Sequence, residues 1–175
     1  MFEDIAAKIK MLILDVDGVM TDGKIIVNDH GEEVKHFDAK DGQGLKLLMD
    51  AGIEVGIISG RHSKAVAYRA KNLGIREVHL GIADKAPLLK EIIQQKDLKK
   101  EEICCMGDDL PDLAMFGQAG LSVAVADAVP EILDAAVFIT KKGGGKGAVR
   151  EVCELILRAR GQWAKTLSAF TDDKK

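Results

Sequence analysis

The repeated alternation of short apolar runs with longer amphipathic segments constrains the fold of this chain more than any other feature. Apolar runs rich in Val, Ile and Leu are typical of buried strands, and segments with helical spacing follow several of them. Such alternation requires right-handed crossovers and produces a parallel sheet with helices on both faces. We therefore expect a Rossmann-like, doubly wound α/β fold. The predicted strands are Met11–Val16, Glu54–Ile58, Glu77–Leu80, Ile103–Met106, Leu121–Val125 and Ala136–Ile139, and the predicted helices are Ser63–Leu73, Lys85–Lys96, Leu110–Gly117 and Gly147–Arg160.

Residues 23–37 interrupt this alternation, because two further apolar strands follow the first strand without a helix between them. The strands Lys24–Val27 and Glu33–Phe37 flank Asn28-Asp29-His30-Gly31, whose residue types favour a hairpin turn. We interpret the segment as an inserted β-hairpin, above the sheet edge where open α/β sheets bind ligands. An isolated hairpin is marginally stable in water. Since this one is apolar, we expect it to pack against another subunit.

The composition narrows the classes of protein to which the chain can belong. Its 175 residues fit one domain, residues 1–175, with a polar tail over about residues 161–175. A net charge of −3 and an aromatic content of 4% argue against a nucleic-acid partner. The apolar runs are too short to span a bilayer and residues 1–5 do not resemble a signal peptide, so we expect a cytoplasmic protein without a membrane partner. The three cysteines lack the spacing of a metal site, so we expect reduced, buried thiols at Cys104, Cys105 and Cys153.

The sequence Asp15-Val16-Asp17-Gly18 directly follows the apolar run Met11–Leu14. Because an unpaired buried charge is costly, acids in this position require partners. Strand side chains alternate between the two faces, so we expect Asp15 and Asp17 to point the same way. Such a pair is typical of a cation site, or of a nucleophile beside its acid/base. A strand-end turn capped by aspartate is the structural alternative.

A second acidic segment, Gly107-Asp108-Asp109-Leu110-Pro111-Asp112, follows the predicted strand Ile103–Met106. The carboxyl ends of parallel strands share one edge of a sheet, so this segment can meet Asp15 and Asp17. Carboxylates that converge there would repel one another unless a hard cation lies among them, and oxygen ligands of this kind suit Mg²⁺. The structural alternative is an Asp-rich helix start, in which the side chains cap backbone N–H groups.

Two further polar segments follow other predicted strands. Ser59-Gly60-Arg61 offers a hydroxyl and free N–H groups at a strand-to-helix turn, which suits a phosphate oxygen. Lys85 begins a predicted helix, where its charge can neutralise phosphate and the nearby acids. Taken singly, Ser59 would be a helix cap and Lys85 a solvated surface charge.

In this order, the four segments resemble the motifs of the haloacid dehalogenase superfamily of phosphotransferases. The resemblance covers about residues 10–160, and it implies that the inserted β-hairpin stands in place of a cap domain. Additional segments, including Thr21-Asp22-Gly23, Lys40-Asp41-Gly42 and residues 143–153, are similar to a group of small tetrameric phosphatases in that superfamily. That group acts on 3-deoxy-D-manno-octulosonate 8-phosphate in lipopolysaccharide sugar synthesis. The matching motifs are Asp15-Val16-Asp17-Gly18, Ser59, Lys85 and Gly107-Asp108-Asp109 with Asp112.

The resemblance implies a phosphatase that works through an aspartyl-phosphate. Asp15 is then the nucleophile, and Asp17 protonates the leaving sugar oxygen and later deprotonates the attacking water. Ser59 and Lys85 would hold the phosphoryl oxygens as charge develops on them. These roles make Asp15, Asp17, Ser59 and Lys85 the candidate catalytic residues.

The same resemblance implies a magnesium cofactor. The ion would be held by Asp15, the backbone carbonyl of Asp17 and Asp108. Asp109 and Asp112 would support this site by holding the metal ligands in place, without binding the ion themselves.

The resemblance also implies contacts with a sugar acid. They would come from the loop after the hairpin, Asp38–Gly42, and from basic residues that suit a carboxylate. Lys40 stands where the resemblance leads us to expect arginine, and a lysine keeps the charge but loses the bidentate fork. The implied substrate contacts are Asp17, Asp38, Ala39, Lys40, Asp41, Gly42, Lys46, Arg61, Arg69 and Lys85.

Other functions remain open at this point. A phosphatase for a nine-carbon sugar acid 9-phosphate would use the same residues with different sugar contacts. Two further alternatives are a sugar phosphomutase and a non-catalytic partner of a sugar-nucleotide synthetase. Residues 143–147, Gly-Gly-Gly-Lys-Gly, lack the spacing of a nucleotide loop. The resemblance instead implies a flexible loop close to a neighbouring subunit's active site.

Overall fold

The structure is a computed structural model that describes residues 2–171. Its strands are β1 (Met11–Leu14), β2 (Ile26–Val27), β3 (Glu33–Val34), β4 (Glu54–Ser59), β5 (Glu77–Leu80), β6 (Ile103–Gly107), β7 (Leu121–Ala124) and β8 (Phe138–Ile139). Its α-helices are α1 (Phe2–Ala6), α2 (Ala39–Asp50), α3 (Lys64–Leu73), α4 (Lys85–Gln95), α5 (Leu113–Phe116), α6 (Pro130–Ala135), α7 (Ala148–Ala159) and α8 (Trp163–Thr171). Short 3₁₀ turns occupy Lys100–Glu102 and Leu110–Asp112.

The main sheet has the strand order β5-β4-β1-β6-β7-β8, and all its pairings are parallel. Strand β1 lies near the middle, and its residues Met11–Leu14 are fully buried. Burial on both faces explains why this strand is a continuous apolar run rather than an alternating one. The helices pack in two separate sets, with α2, α7 and α1 in one and α4, α5 and α6 in the other. The predicted α/β fold with a parallel sheet is therefore confirmed.

Strand β1 ends at Leu14, two residues earlier than predicted. Beyond it, the Val16 carbonyl accepts hydrogen bonds from the N–H groups of Val19, Met20 and Thr21. This turn takes Asp17 out of the strand, so the alternation of strand side chains no longer determines where its carboxylate points.

Helix α2 was not among the predicted helices, because Gly42 and Gly44 lower its intrinsic helix propensity. Both glycines are buried, and a Cβ on Gly44 would lie 2.9 Å from Arg150 Cδ of α7. The glycines therefore lower the helix propensity of α2 but allow it to pack closely against its neighbours. Residues Trp163–Thr171 also form a helix, α8, within the segment interpreted as a polar tail. Trp163 packs there beneath Arg158, whereas Phe170 is exposed.

Strands β2 and β3 form an antiparallel pair in which Ile26 lies opposite Val34. Both strands are shorter than predicted, and Phe37, predicted to end the second strand, packs against the core instead. Other apolar side chains of the segment face outward, and Ile25, Val27 and Val34 are 47%, 58% and 45% exposed. The ribbon therefore presents an apolar surface that this chain does not cover.

The glycine-rich loop 143–147 packs against the segment that follows the first acidic motif of the same chain. Gly145 N–H donates to the Val19 carbonyl over 3.0 Å. A Cβ on Gly144 would overlap the Gly18 carbonyl, so glycine is required for this approach. The loop therefore supports residues 18–22 of the same chain.

All three cysteines are free and buried, as predicted. Burial raises the pKa of the Cys104, Cys105 and Cys153 thiols, which keeps them protonated and unreactive. Among residues 2–171, none of the helices has the length and apolar character needed to cross a membrane.

Candidate active site

Three carboxylates, from Asp15, Asp108 and Asp112, converge at the carboxyl ends of β1 and β6. One oxygen from each lies within 4.8 Å of the others. The pairing of the two strands brings them together, because Leu14 lies opposite Met106 and Asp15 N–H donates to the Met106 carbonyl. Acids at this spacing repel one another unless cations lie between them.

Lys85 supplies one of these cations. It is the first residue of α4 and only 4% exposed, and its Nζ donates to Asp15 Oδ1 over 2.6 Å and to Asp112 Oδ1 over 2.7 Å. Burial alone would lower the pKa of the Lys85 ammonium, but Asp15 and Asp112 outweigh it and raise that pKa. Lys85 is therefore a charged part of the cluster and not a solvated surface residue. Three carboxylates against one ammonium leave the cluster with a net negative charge.

Both oxygens of Asp112 are occupied by the protein. Oδ1 binds Lys85, and Oδ2 accepts hydrogen bonds from the N–H groups of Asp108 (3.0 Å) and Asp109 (3.4 Å). Asp112 thus fixes the loop that carries Asp108 and orients Lys85. Asp109 is exposed and caps the 3₁₀ turn through Leu110 N–H, so among the described residues it lies outside the carboxylate cluster.

Asp108 and Asp15 retain oxygens that face the cluster. Asp108 Oδ1 is buried and has no hydrogen-bond partner within residues 2–171. Burial, followed by the charges of Asp15, Asp112 and Asp109, raises the pKa of Asp108 to about 8. Burial and then Asp112 raise the pKa of Asp15 to about 6, against the opposing effect of Lys85. An orphaned carboxylate oxygen beside a second carboxylate has the donor chemistry that a hard divalent cation prefers, so these residues fit Mg²⁺.

Gly18 keeps room for this arrangement. Its φ of +93° lies in the left-handed region, and a Cβ there would overlap the Asp108 carboxylate. The glycine of the first motif is therefore needed both for the turn after β1 and for the position of Asp108.

The Asp17 carboxylate belongs to a different network. Its Oδ1 binds Lys35 Nζ, and its Oδ2 lies 3.8 Å from Arg61 Nε. Glu33 completes the network, since its Oε2 accepts from Arg61 Nη2 over 2.9 Å and its Oε1 lies 3.2 Å from Lys35 Nζ. The two acids of the first motif share a loop but have separate charge partners. Neither Glu33 nor Lys35 was identified from the sequence, although their spacing of two residues on an extended segment places them on one face.

Ser59 lies at the same edge of the sheet, as the last residue of β4 beside β1. It is 2% exposed, and its Oγ accepts a hydrogen bond from Arg61 N–H over 3.4 Å. The Ser59 carbonyl accepts from Ile82 N–H, which ties this turn to the one before α4. The hydroxyl is thus held at the strand end where the sequence predicts a phosphate contact.

Residues 38–42 are not a loop, as the resemblance had implied, but the cap and first turn of α2. Asp38 is the N-cap and accepts from Lys40 N–H (2.6 Å) and Asp41 N–H (3.0 Å). Ala39 and Lys40 are exposed, whereas Gly42 is buried against Arg69.

Asp41 is 3% exposed and faces α7, where its Oδ1 accepts from Arg150 N–H over 2.7 Å. Burial raises the pKa of Asp41 to about 6, although the Arg150 N–H opposes the change. The N-cap of α7 is Gly147, which has no side chain to cap the helix, so Asp41 satisfies part of the α7 N-terminus from another helix.

The basic residues of the predicted sugar site differ in their surroundings. Arg69 is half-buried, with its guanidinium 5.8 Å from the Phe37 ring centroid and Nη2 donating to the Asp38 carbonyl over 3.5 Å. Its Nε is buried and has no partner within the described residues. Lys46 is exposed on α2, as expected of a solvated helix face. The structure therefore places Arg61 beside Asp17 and Arg69 beside the first turn of α2, whereas the Lys46 side chain is exposed.

Comparison with known proteins agrees with this geometry. A family model described as haloacid dehalogenase-like hydrolase matches residues 77–151. A 3-deoxy-D-manno-octulosonate 8-phosphate phosphatase from Yersinia pestis is 46% identical over 155 residues, which cover 89% of this chain and 83% of the relative. A phosphatase of the same name from Moraxella catarrhalis, solved with magnesium, phosphate and KDO, is 40% identical with a TM-score of 0.94 and covers 96% of this chain and 97% of that chain.

A cobalt-bound form of the corresponding phosphatase from Haemophilus influenzae is 38% identical with a TM-score of 0.91. It covers 96% of this chain and 99% of that chain. Identity at this level over nearly the full length of both chains shows common family membership. The chain therefore belongs to the haloacid dehalogenase-like hydrolases, in the family of the 3-deoxy-D-manno-octulosonate 8-phosphate phosphatases.

Proposed function

We propose that this chain is a magnesium-dependent phosphatase that hydrolyses 3-deoxy-D-manno-octulosonate 8-phosphate to the free sugar acid and phosphate, a step of lipopolysaccharide sugar synthesis. The observation that carries the proposal is the buried cluster in which Asp15 meets Lys85 while Asp108 keeps an unpartnered oxygen. The names of the relatives and the ligands of the Moraxella catarrhalis structure support the choice of substrate and metal.

The reaction uses the two acids of the first motif in different ways. One oxygen of Asp15 attacks the phosphorus while the bond from phosphorus to the sugar oxygen breaks, and the electron pair of that bond goes to the sugar oxygen. Protonated Asp17 gives its proton to this oxygen, which leaves an aspartyl-phosphate, the free sugar acid and an Asp17 carboxylate. Water then attacks the phosphorus, gives a proton to Asp17 and displaces the Asp15 carboxylate as phosphate forms.

The surrounding residues support these steps. Lys85 holds Asp15 Oδ1 at 2.6 Å, so the nucleophile is oriented and its negative charge is partly neutralised before phosphate arrives. Ser59 and Lys85 would bind phosphoryl oxygens at the strand ends. Asp15, Asp108 and the backbone carbonyl of Asp17 would hold Mg²⁺, which when bound neutralises negative charge on the phosphoryl group.

The sugar carboxylate would be recognised by basic residues beside the phosphate site. Arg61 is half-exposed and pairs with Glu33, so it can exchange that carboxylate for one on a ligand. Arg69 adds a second guanidinium with an unpartnered Nε. The remaining proposed contacts are Asp17, Asp38, Ala39, Lys40, Asp41, Gly42 and Lys46, of which Asp41 would act through the shape of α2.

We propose further that the enzyme is a cytoplasmic homotetramer that assembles through the hairpin. The exposed apolar side chains of Ile25, Val27 and Val34 support this assembly, because a lone ribbon gains little from exposing them. The three unpaired thiols fit a reducing compartment.

A phosphate-release assay across sugar phosphates, with and without Mg²⁺, tests the function. The 8-phosphate of the eight-carbon sugar acid should give a higher kcat/KM than the 9-phosphate of a nine-carbon sugar acid. Release should require Mg²⁺ and be abolished in Asp15→Asn, whereas a non-catalytic partner of a synthetase would release no phosphate from any of them. Preference for the nine-carbon substrate would reassign the sugar while keeping the chemistry.

A further inference from the structure

We propose that Lys35 is a positioning residue for Asp17. By binding Asp17 Oδ1, it leaves Oδ2 as the oxygen that exchanges a proton with the leaving sugar oxygen. This role rests on the proposed function only in that Asp17 is the general acid. It assigns a purpose to the inserted hairpin within its own subunit, in addition to assembly.

The burial of Lys35 is anomalous for its place in the chain. It follows β3 in a ribbon whose neighbouring residues Val34 and His36 are exposed, yet its side chain is only 1% exposed. A lysine in such a ribbon could reach water at no cost. Lysine is almost never buried unless it is paired, so the contacts of this ammonium determine its position.

Lys35 contacts two carboxylates, but it hydrogen-bonds to only one. Its Nζ donates to Asp17 Oδ1. The contact with Glu33 Oε1 at 3.2 Å is an ion pair, and that oxygen has no hydrogen-bond partner within the described residues. Burial alone would raise the pKa of Glu33, but its contacts with Ser63, Arg61 and the Lys35 ammonium outweigh burial and lower that pKa. Glu33 thus balances the charge of Lys35, while the directional bond goes to Asp17.

The second oxygen of Asp17 is left for chemistry. Arg61 Nε lies 3.8 Å from Oδ2, which is beyond hydrogen-bond distance, and the Arg61 Nη2 hydrogen bond goes to Glu33 instead. With Oδ1 fixed as an acceptor, a proton on Oδ2 can pass to the sugar oxygen when its bond to phosphorus breaks. Among the described residues, Lys35 makes the only hydrogen bond to this carboxylate, so without Lys35 its orientation would no longer be fixed.

Leaving-group dependence separates this role from a general structural one. A sugar alkoxide is a strong base and must be protonated as it leaves, whereas p-nitrophenolate leaves without a proton. General acid catalysis contributes about 10²–10⁴-fold, so Lys35→Met should lower kcat/KM for the sugar phosphate by at least about tenfold and for p-nitrophenyl phosphate by less than about threefold. The ratio kcat/KM is used because it excludes the later hydrolysis of the aspartyl-phosphate.

Three variants provide the controls. Lys24→Met removes another lysine of the same ribbon, one that pairs with Asp22 at 3.0 Å, and should leave both substrates unaffected. In an Asp17→Asn background, Lys35→Met should cause no further loss with the sugar phosphate, since coupled residues are not additive. Lys35→Gln, which keeps a neutral donor, should restore part of the activity and serves as the test if Lys35→Met does not fold or assemble.

Equal losses of kcat/KM with both substrates in Lys35→Met or Lys35→Gln would overturn the proposal, as would an additive loss in the Asp17→Asn background. Failure of the proposed function is distinguishable from this result. If the wild-type enzyme hydrolysed a different sugar phosphate, the comparison of alkyl with aryl phosphates would still measure the role of Lys35. If the wild type released no phosphate at all, the proposed function itself would be wrong.

Discussion

Replacing Lys85 by methionine should destabilise the protein and, at the same time, reveal the charge that this lysine neutralises. Its ammonium is buried between Asp15 (2.6 Å) and Asp112 (2.7 Å), and methionine keeps the length and shape of the side chain without the charge. Removal of one partner from a buried ion pair costs about 3–5 kcal/mol, because the remaining charges are left uncompensated. We expect the free energy of unfolding at pH 7.5 to fall by about this amount.

The loss should depend on pH in a defined direction. Burial and Asp112 already raise the pKa of Asp15 to about 6, and without Lys85 that pKa would rise further above its value in the unfolded chain. A carboxyl whose pKa is raised by folding contributes stability at low pH and loses it as the pH rises. The defect should therefore be smaller at pH 5.5 than at pH 7.5.

Urea denaturation at the two pH values, with and without Mg²⁺, measures these effects. Mg²⁺ should stabilise Lys85→Met at least as strongly as the wild type, because the variant has one more uncompensated negative charge, while phosphatase activity should be lost. Lys90→Met, an exposed lysine of the same helix, is the matched control and should change the free energy of unfolding by less than about 0.5 kcal/mol. A loss in Lys85→Met below about 1 kcal/mol, or one that does not vary with pH, would refute the view that Lys85 is the charge partner of the cluster.

Three further predictions follow from other residues. Because burial and the neighbouring acids raise the pKa of Asp108 to about 8, Mg²⁺ must displace a proton below that pH. Its affinity, measured by titration calorimetry, should weaken by about 15-fold in total from pH 8 to pH 6.5 and lose this dependence in Asp108→Asn. A constant wild-type affinity would contradict this prediction. Folding raises the pKa of Asp41 to about 6, so its carboxyl destabilises the fold once it ionises. In urea denaturation, the free energy of unfolding of the wild type minus that of Asp41→Asn should therefore fall by about 1 kcal/mol from pH 5 to pH 7.5. If this difference did not change with pH, folding would not raise the pKa of Asp41. Val27→Asp places a charge in the hairpin surface and should sediment as a smaller assembly than the wild type. Val137→Asp is the control, because Val137 has similar exposure but lies outside the hairpin, and it should sediment like the wild type. If both variants sedimented like the wild type, the hairpin would not be the interface.

The fold was predictable because the central strands of its main sheet are buried on both faces. Runs such as Met11–Leu14 and Ile103–Met106 are apolar throughout, and the polar residues that follow them had to meet at one edge of the sheet. That rule predicts that Asp15, Asp108 and Lys85 lie close together, and the structure places all three in one cluster.

The missed features depend on tertiary contacts. Helix α2 contains Gly42 and Gly44, which lower its helix propensity but allow close packing against neighbouring side chains. The ion pair of Lys35 with Asp17 joins residues 18 positions apart through the course of the hairpin, which no local pattern specifies. Asp41 looked like a substrate contact because of its motif, yet its carboxylate caps another helix.

A crystal structure with Mg²⁺ and beryllofluoride, a phosphoryl mimic that attaches to a nucleophilic carboxylate, tests the central claim most directly. We expect the mimic on Asp15, beside Lys85, and the ion between the carboxylates of Asp15 and Asp108. Attachment of the mimic to Asp17, or an ion bound away from Asp108, would contradict the assignment of nucleophile and metal site.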